Sequence, residues 1–317
     1  MKEDASDAAI SYYEYGHLSA LRSSSYTSLR TLAKDPSWKN NPLSTKFQSY
    51  HGDDPNFADT MIMDALRAFA PFHTISSDQL ADVVVRSLQT LVLLPAGVGY
   101  MYKAFLDDNC AFTYWDKGAA YLIGSVEGSQ WGGDEGDNGV SSFGLAKELC
   151  AEFSVCTISG NAETNDRLIQ YFKDGEDLIS GGTCADLDRY INVKVFPTLL
   201  IPLIQGSIAF ALADNPKARG SAHVLALAVL PIVHEVDATS ANAIKQNSRL
   251  DAAGSSTVLI NAFSNVLGGM GVNCFSVGAQ SGTEISEFGL CKDTYDPGQS
   301  TDLSDGLYIT RTRVEDR

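Results

Sequence analysis

The sequence lacks the short motifs of the common enzyme classes. It contains no G-x-S-x-G elbow, no H-E-x-x-H zinc motif, no P-loop and no complete G-x-G-x-x-G. These are the patterns that position a nucleophile, a catalytic metal or a nucleotide phosphate. The sequence therefore predicts a binding protein rather than an enzyme. A helical metallopeptidase is the least favoured alternative, because HEVD at 234–237 has no second histidine at the required spacing.

Positive charge is also scarce. The 317 residues include 39 Asp and Glu against 23 Lys and Arg, which gives a formal net charge of −16 at pH 7. Such a surface repels nucleic acid phosphates and anionic lipid headgroups, so neither is an expected partner, and cations are the natural small ligands. The alternative interpretation is that the acidic residues only keep the protein soluble.

No targeting segment and no uninterrupted membrane-spanning run is evident. The opening MKEDASDAAI is polar and acidic, whereas a signal peptide begins with basic and then apolar residues. The most apolar stretch, 195–213, contains two prolines together with Gln205, Gly206 and Ser207. This stretch predicts a buried helix or helix pair rather than a direct transmembrane segment.

The cysteines include no C-x-x-C pair, which disfavours zinc thiolate sites and thioredoxin-like redox chemistry. Disulfides are the leading interpretation, although sequence leaves their connectivity open. Cys150 with Cys156 and Cys274 with Cys291 are close enough in sequence to pair, and Cys110 with Cys184 is the pair left over. The alternative is a set of buried free thiols in a cytosolic protein.

Apolar residues recur at helical spacing over most of the chain, and few segments alternate as strands do. The predicted fold class is mostly α, with few or no strands. One helix is expected to begin at Asn165 and Asp166, which are good capping residues, and to end at Gly175 in a left-handed turn.

Two segments of the chain resemble each other at a constant offset of 107 residues. LVLLPAGVGYMYKAFLDD (91–108) aligns without a gap with TLLIPLIQGSIAFALADN (198–215). A single duplication predicts two related helical-bundle halves, at approximately 57–160 and 165–290, within one disulfide-linked domain over 1–317. Residues 291–317 are expected to form an irregular tail.

Pro95 and Pro202 occupy matching positions in the two copies. A proline inside a helix removes a backbone hydrogen bond, so each is expected to kink or divide its helix and to free carbonyl groups that could line a site. The alternative is that the prolines only let two helices turn past each other.

The repeat also places potential metal ligands in register. Asp116 corresponds to His223, and Glu127 corresponds to His234. Within each copy the two residues are 11 positions apart, about three helical turns, so they share one helix face. If the two faces meet, two carboxylates and two imidazoles converge into a metal site. The alternative is that each histidine is a hydrogen-bonded core or rim residue.

Tyrosines could complete such a site, because phenolate oxygen is a hard anionic donor that suits ferric iron. Four of the 13 tyrosines are near the first carboxylate pair: Tyr100, Tyr102, Tyr114 and Tyr121. Most tyrosines of a helical protein pack with the hydroxyl at the rim, so only one or two are expected to bind metal. Tyr121 is the first candidate.

Five segments together resemble the algal iron-assimilation and high-CO2-inducible periplasmic protein family, which includes the phytotransferrins. They are FADTMIMDAL (57–66), YWDKGAAYLIGSVEG (114–128), NDRLIQYFKDGEDLISGGTCADL (165–187), VFPTLLIPLIQGSIAFALAD (195–214) and SAHVLALAVLPIVHEVDATSANAI (221–244). The most specific part is IPLIQG followed by an alanine-rich helix that ends in LP-x-V.

The resemblance implies a secreted, periplasmic or cell-surface protein of helical, internally repeated design. In some relatives it also implies capture of Fe(III), with carbonate as a synergistic anion. The expected function is therefore non-enzymatic iron binding between the two halves. Glu127 and His234 are the first expected ligands, followed by His223, Asp116 and Tyr121. The alternative is a periplasmic or cell-surface scaffold that has lost the metal and acts in CO2 acclimation through a protein partner.

Overall fold

The computed structural model describes residues 2–16, 28–106, 110–124, 141–213 and 215–279. Within these ranges the chain is helical and contains no strand, which confirms the predicted mostly α class. The α-helices are α1 (Lys2–Tyr15), α2 (Leu29–Lys34), α3 (Pro42–Tyr50), α4 (Phe57–Leu66), α5 (Ser77–Ser87), α6 (Leu94–Leu106), α7 (Phe112–Ile123), α8 (Ser142–Cys150), α9 (Glu163–Ser180), α10 (Asp186–Tyr190), α11 (Phe196–Leu212), α12 (Pro216–Val236), α13 (Ala238–Asn247), α14 (Ser256–Val266) and α15 (Cys274–Val277).

Two long rods form the centre of the fold. The first, Ser77–Leu106, joins α5 to α6 through a π-helical segment at Leu88–Leu93. The second, Asp186–Leu212, joins α10 to α11 through a π-helical segment at Ile191–Val195. Nearly every side chain of α11 is buried, which is why this helix has no polar face.

Each π-helical segment ends just before a proline. The amide of Leu94 donates to the Gln89 carbonyl, five residues earlier, and Pro95 follows at once. Proline has no N–H and its ring clashes with the carbonyl four residues earlier, so a wider turn relieves that clash. The same arrangement precedes Pro197 in the second rod.

Pro202, which the repeat alignment matches with Pro95, does not have this role. It lies inside α11, which continues without a break from Phe196 to Leu212. The second rod is therefore not divided at Pro202, and its irregular segment lies at the preceding proline, Pro197. Neighbouring helices bury this part of α11 and stabilise it despite the missing backbone hydrogen bond.

The two repeat segments each form a pair of packed helices, α6 with α7 and α11 with α12. Glycines allow the close approach in the first pair, since a Cβ atom at Gly118 would lie 2.6 Å from the Gly97 carbonyl oxygen. In the second pair Gly206 packs against the Leu225 side chain. The duplication itself stays a prediction.

One hydrophobic core extends through the described part of the chain from Leu43 on α3 to Val277 on α15. A second, smaller cluster packs the N-terminal helices against the outer side of α6, through Tyr13, Trp38 and Ile62 among others. This second cluster fixes the position of the short 3-10 helix Pro36–Trp38 beside α6.

Both rods are long and apolar enough to cross a membrane by length and composition. However, 61% of the apolar window in Ser77–Leu106 and 89% of that in Asp186–Leu212 are buried inside the protein. Apolar helices that are buried in this way also occur in the cores of folded proteins. The expected lack of a transmembrane segment stays a prediction.

Two of the three expected disulfides are confirmed. Cys110 and Cys184 are bonded with a Cα–Cα distance of 5.9 Å, and Cys150 and Cys156 with a Cα–Cα distance of 4.8 Å. Such bonds are typical of proteins in oxidising, extracytoplasmic compartments. Cys291 lies outside the described residues, so its pairing with Cys274 stays a prediction.

Candidate functional site

The predicted metal ligands lie on two helices with different neighbours. Asp116 and Tyr121 are on α7, which packs against α6, α8 and α9. His223 and His234 are on α12, which packs chiefly against α5, α11 and α13. The two faces that the repeat was expected to bring together therefore have other partners. Glu127 lies outside the described residues, and its role stays a prediction.

The two histidines share α12, as expected, but they have separate environments. His223 is partly buried, and its Nδ1 is 2.8 Å from the carbonyl oxygen of Ser248. Burial lowers the pKa of His223 below its usual value. His234 is exposed, and its ring lies edge-on to Tyr50 with 5.4 Å between the ring centroids. Each histidine matches the alternative of a hydrogen-bonded or rim residue.

Asp116 and Tyr121 also point to different surroundings. Asp116 is exposed and faces α9, where burial and then repulsion from Asp116 raise the pKa of Glu176. Tyr121 instead faces α6, where its ring stacks on that of Tyr100 at a centroid distance of 5.6 Å. Within the described ranges, no three His, Cys, Asp or Glu side chains lie close enough to hold one metal ion.

Three oxygen atoms do converge beside Tyr121, and we refer to Asp35, Ser37 and Tyr100 as the oxygen triangle. The Tyr100 hydroxyl donates to Asp35 Oδ2 at 3.1 Å, and the Ser37 hydroxyl donates to the same Oδ2 at 2.8 Å. The Ser37 and Tyr100 hydroxyl oxygens are 3.5 Å apart. The site thus combines a carboxylate, a phenol and an aliphatic hydroxyl.

Local sequence explains why these groups meet. Asp35 caps the 3-10 helix Pro36–Trp38, where its side chain accepts from the Ser37 amide. On α6, a Cβ atom at Gly99 would overlap the carbonyl oxygen of Trp38, so only glycine lets this 3-10 helix lie directly on α6. That contact places Asp35 and Ser37 next to Tyr100.

One face of α7 completes the surroundings of the oxygen triangle. Tyr114, Lys117 and Tyr121 are spaced three and four residues apart and so share one helix face. Lys117 Nζ lies 4.0 Å from the centroid of the Tyr100 ring, a cation–π distance. The Tyr114 ring stacks on the Tyr100 ring with 6.4 Å between the ring centroids.

The ionised forms of Asp35 and Lys117 stabilise each other. Burial opposes ionisation of Asp35, but hydrogen bonds from Ser37 and Tyr100 and the charge of Lys117 outweigh it, so the pKa of Asp35 is lowered. Burial also opposes the charge of Lys117, yet its interactions with the two phenols and Asp35 raise the pKa of Lys117. The site therefore holds an ionised carboxylate beside a retained cation at neutral pH.

Burial raises the pKa of Tyr121, although Lys117 acts in the opposite direction. Tyr121 is consequently a phenol at neutral pH, and a metal would have to displace its proton.

The oxygens of the triangle are separated by hydrogen-bond distances, and the same separations occur between neighbouring ligands of one metal ion. Around an octahedral ion with bonds of about 2.1 Å, neighbouring ligand oxygens are about 3.0 Å apart. The three edges of 2.8, 3.1 and 3.5 Å span that value. Carboxylate and phenolate oxygens are hard donors that suit a hard, highly charged cation such as Fe(III).

Sequence reasoning identified Tyr121 and noted Tyr100, but it missed Asp35, Ser37 and Lys117. The helix-face spacing of Tyr114, Lys117 and Tyr121 could have indicated that Lys117 belongs to the same cluster. No local signal pairs Asp35 with Tyr100, because 65 residues separate them and only the packing of the 3-10 helix on α6 unites them.

No protein-family model, curated protein or solved structure matches the chain. Function is therefore inferred from the geometry of the chain itself.

Proposed function

We propose that this protein is an extracytoplasmic, non-enzymatic protein that binds ferric iron, with carbonate as the accompanying anion, for iron assimilation. The observation that carries the proposal is the oxygen triangle of Asp35, Ser37 and Tyr100, with Tyr121 stacked beside it. In this proposal the site takes the place of the expected convergence of α7 and α12, and Tyr121 remains a proposed ligand.

The residues of the site have distinct parts in this proposal. Asp35 supplies an ionised carboxylate, and Tyr100 and Tyr121 supply phenolate oxygens after the metal displaces their protons. The positive charge of Lys117 lies beside the Tyr100 and Tyr121 rings and opposes the binding of a metal cation there. Its ammonium instead favours an anion at the same site, which is the part that carbonate would take.

The location rests on the two disulfides and the overall charge. Disulfides persist in oxidising compartments, which include the periplasm and the cell surface. The net charge of −16 concentrates cations near the protein and disfavours nucleic acid as a partner.

A spectroscopic titration tests the proposal. The full chain is freed of metal and titrated with ferric nitrilotriacetate in the presence of bicarbonate. We expect one equivalent of iron to produce a visible tyrosinate-to-iron charge-transfer band. Tyr100→Phe and Asp35→Asn should each weaken binding by at least about tenfold. Affinity should rise with pH, because binding releases the phenol protons.

Tyr114→Phe is the matched control, since Tyr114 stacks on Tyr100, whereas the hydrogen bond to Asp35 comes from the Tyr100 hydroxyl. This variant should bind iron as the unmodified protein does. A missing charge-transfer band, or an equal band in Tyr100→Phe and the unmodified protein, would contradict the proposal.

The rival function is a periplasmic or cell-surface scaffold of the same fold. It is favoured by the lack of a His, Cys, Asp or Glu metal cluster within the described part of the chain. Purification without bound metal, together with a failed ferric titration, would support the scaffold.

A further inference from the structure

A cleft of about 200 Å³ lies apart from the oxygen triangle, between the N-terminus of α3, the middle of α6, the start of α11 and the end of α12. Its walls combine the apolar side chains of Leu43, Phe196, Ile232, Val236 and Met270 with the polar side chains of Lys46, Tyr102, Asn192 and Glu235. Most small-molecule sites are larger, about 300–1,000 Å³, so this cleft suits only a ligand of about amino-acid size.

The second π-helical segment contributes an exposed residue to the lining of this cleft. Asn192 belongs to that segment, and its side-chain oxygen accepts a hydrogen bond from the buried Tyr102 hydroxyl at 2.6 Å. The amide nitrogen of Asn192 donates to Asp188. Tyr102 has thus committed its proton, and its oxygen can still accept a hydrogen bond from a ligand.

Two opposite charges stand at the mouth of the cleft. Lys46 on α3 and Glu235 on α12 form an ion pair with an N–O distance of 2.6 Å, and both also line the cleft. Their side chains are 41% and 46% exposed, so the pair is solvated and contributes little to stability. A ligand can therefore replace either partner at small cost.

We propose that this cleft binds a free apolar α-amino acid, such as phenylalanine, leucine or tyrosine. The zwitterionic end of such a molecule presents an ammonium and a carboxylate side by side, which complements Glu235 and Lys46. The apolar side chain enters between Phe196, Ile232 and Met270. A tyrosine hydroxyl also has an acceptor in the hydroxyl oxygen of the buried Tyr102. This proposal is independent of iron binding.

Isothermal titration of the full chain with L-phenylalanine, L-leucine and L-tyrosine in the presence of a chelator tests the proposal. We expect saturable 1:1 binding. N-acetyl-L-phenylalanine and L-phenylalanine amide should each bind at least about tenfold more weakly, because each removes one charge. L-glutamate should show no binding, since its side-chain charge would be buried without a partner.

Three variants locate the site. Lys46→Met and Glu235→Gln should weaken L-phenylalanine binding by at least about tenfold, and Val236→Trp should abolish it by filling the cleft. Lys217→Met, which changes an exposed lysine away from the cleft, is the control. The proposal is overturned if no apolar amino acid binds up to roughly 10 mM, a concentration that covers the weakest specific ligands. It is also overturned if the acetylated ligand binds as well as the free amino acid, or if Val236→Trp binds normally.

Discussion

The two helix pairs, α6 with α7 and α11 with α12, have a similar backbone plan but opposite chemical character. At the 107-residue offset, Tyr100 corresponds to Ser207, Lys117 to Val224 and Tyr121 to Ala228. The three residues of the second pair are all 0% exposed. In the first pair Lys117 is exposed and Tyr121 is only partly buried.

This difference shows that burial, and not the helix-pair plan, decides where chemistry can occur. The second pair lies in the centre of the core, where a charged or phenolic group would have to be desolvated. The first pair has one side open, which the N-terminal 3-10 helix covers with polar groups. A duplicated helix pair is therefore compatible with one site rather than two.

The largest expected effect concerns the disulfide that links the two pairs. Cys110 lies in the connection between α6 and α7, and Cys184 precedes the second rod. Replacing both by serine should reduce the free energy of unfolding by about 4 kcal/mol, because the bond closes a long loop. The Cys150→Ser and Cys156→Ser double variant is the comparison. That variant should lose about 2 kcal/mol, because the bond between Cys150 and Cys156 closes only a short loop.

Urea denaturation under oxidising conditions measures both losses. An equal or reversed order would show that loop length does not control the contribution of these bonds.

The next largest effect is expected at Gly99 and Gly206, which correspond at the 107-residue offset. At Gly99 an added Cβ meets the backbone oxygen of Trp38, which cannot move without shifting the 3-10 helix. At Gly206 it meets the end of the Leu225 side chain, which can rotate. Gly99→Ala should therefore cost about 3 kcal/mol and Gly206→Ala about 1 kcal/mol.

Thermal unfolding compares the two glycine variants. Gly99→Ala should in addition weaken ferric iron binding, whereas Gly206→Ala should not. If both variants bind iron normally, the position of the 3-10 helix does not matter for the site.

The free energy of unfolding should fall in acid because of His51, at the end of α3. Burial lowers the pKa of His51 from 6.5 to about 4, and its ring stacks on Phe57 with 3.5 Å between centroids. Between those pH values the unfolded chain binds more protons than the folded one. The contribution of His51 to stability is therefore fully present above pH 6.5 and is lost as the pH falls towards 4, by about 3 kcal/mol.

Denaturation midpoints measured from pH 7 to pH 4 test this expectation. His51→Phe should flatten the curve, because it removes the titrating group and keeps the stacking. His73→Gln is the control, since His73 is exposed. An unchanged slope in His51→Phe would assign the acid sensitivity to other groups, of which His223 is the first to examine.

The smallest expected effect is at the mouth of the cleft. Lys46→Met breaks an exposed ion pair with Glu235 and should change the free energy of unfolding by less than about 0.5 kcal/mol. Chemical denaturation measures this. A loss several times larger would mean that the pair holds α3 against α12, and amino acid binding would then have to be judged from the ligand series alone.

Sequence periodicity and cysteine spacing predicted much of the fold. The helical class and the pairing of Cys110 with Cys184 follow from local patterns and from elimination. The predicted end of a helix at Gly175 is wrong, because α9 continues to Ser180. Gly175 has a packing role instead: an added Cβ there would overlap the ring of Trp115, a fully buried residue of α7.

The candidate site was less predictable for a related reason. The 11-residue spacing correctly placed His223 and His234 on one helix, but it contains no information on which neighbours α12 contacts. The contact between the 3-10 helix and α6 depends on Gly99, whose role is visible only when both backbones are seen together.

The π-helical segments have a further consequence for how the rods are used. A π turn accommodates one residue more than an α turn, so the residues after it are rotated by about 100° relative to an uninterrupted α-helix. Within the rod Ser77–Leu106, α5 therefore packs against α4 and α12, while α6 packs against α7 and the 3-10 helix. No loop is needed between α5 and α6. Deleting a single residue from Leu88–Leu93 would make the rod one continuous α-helix. If one half of the rod then kept its contacts, the apolar face of the other half would turn away from its own neighbours.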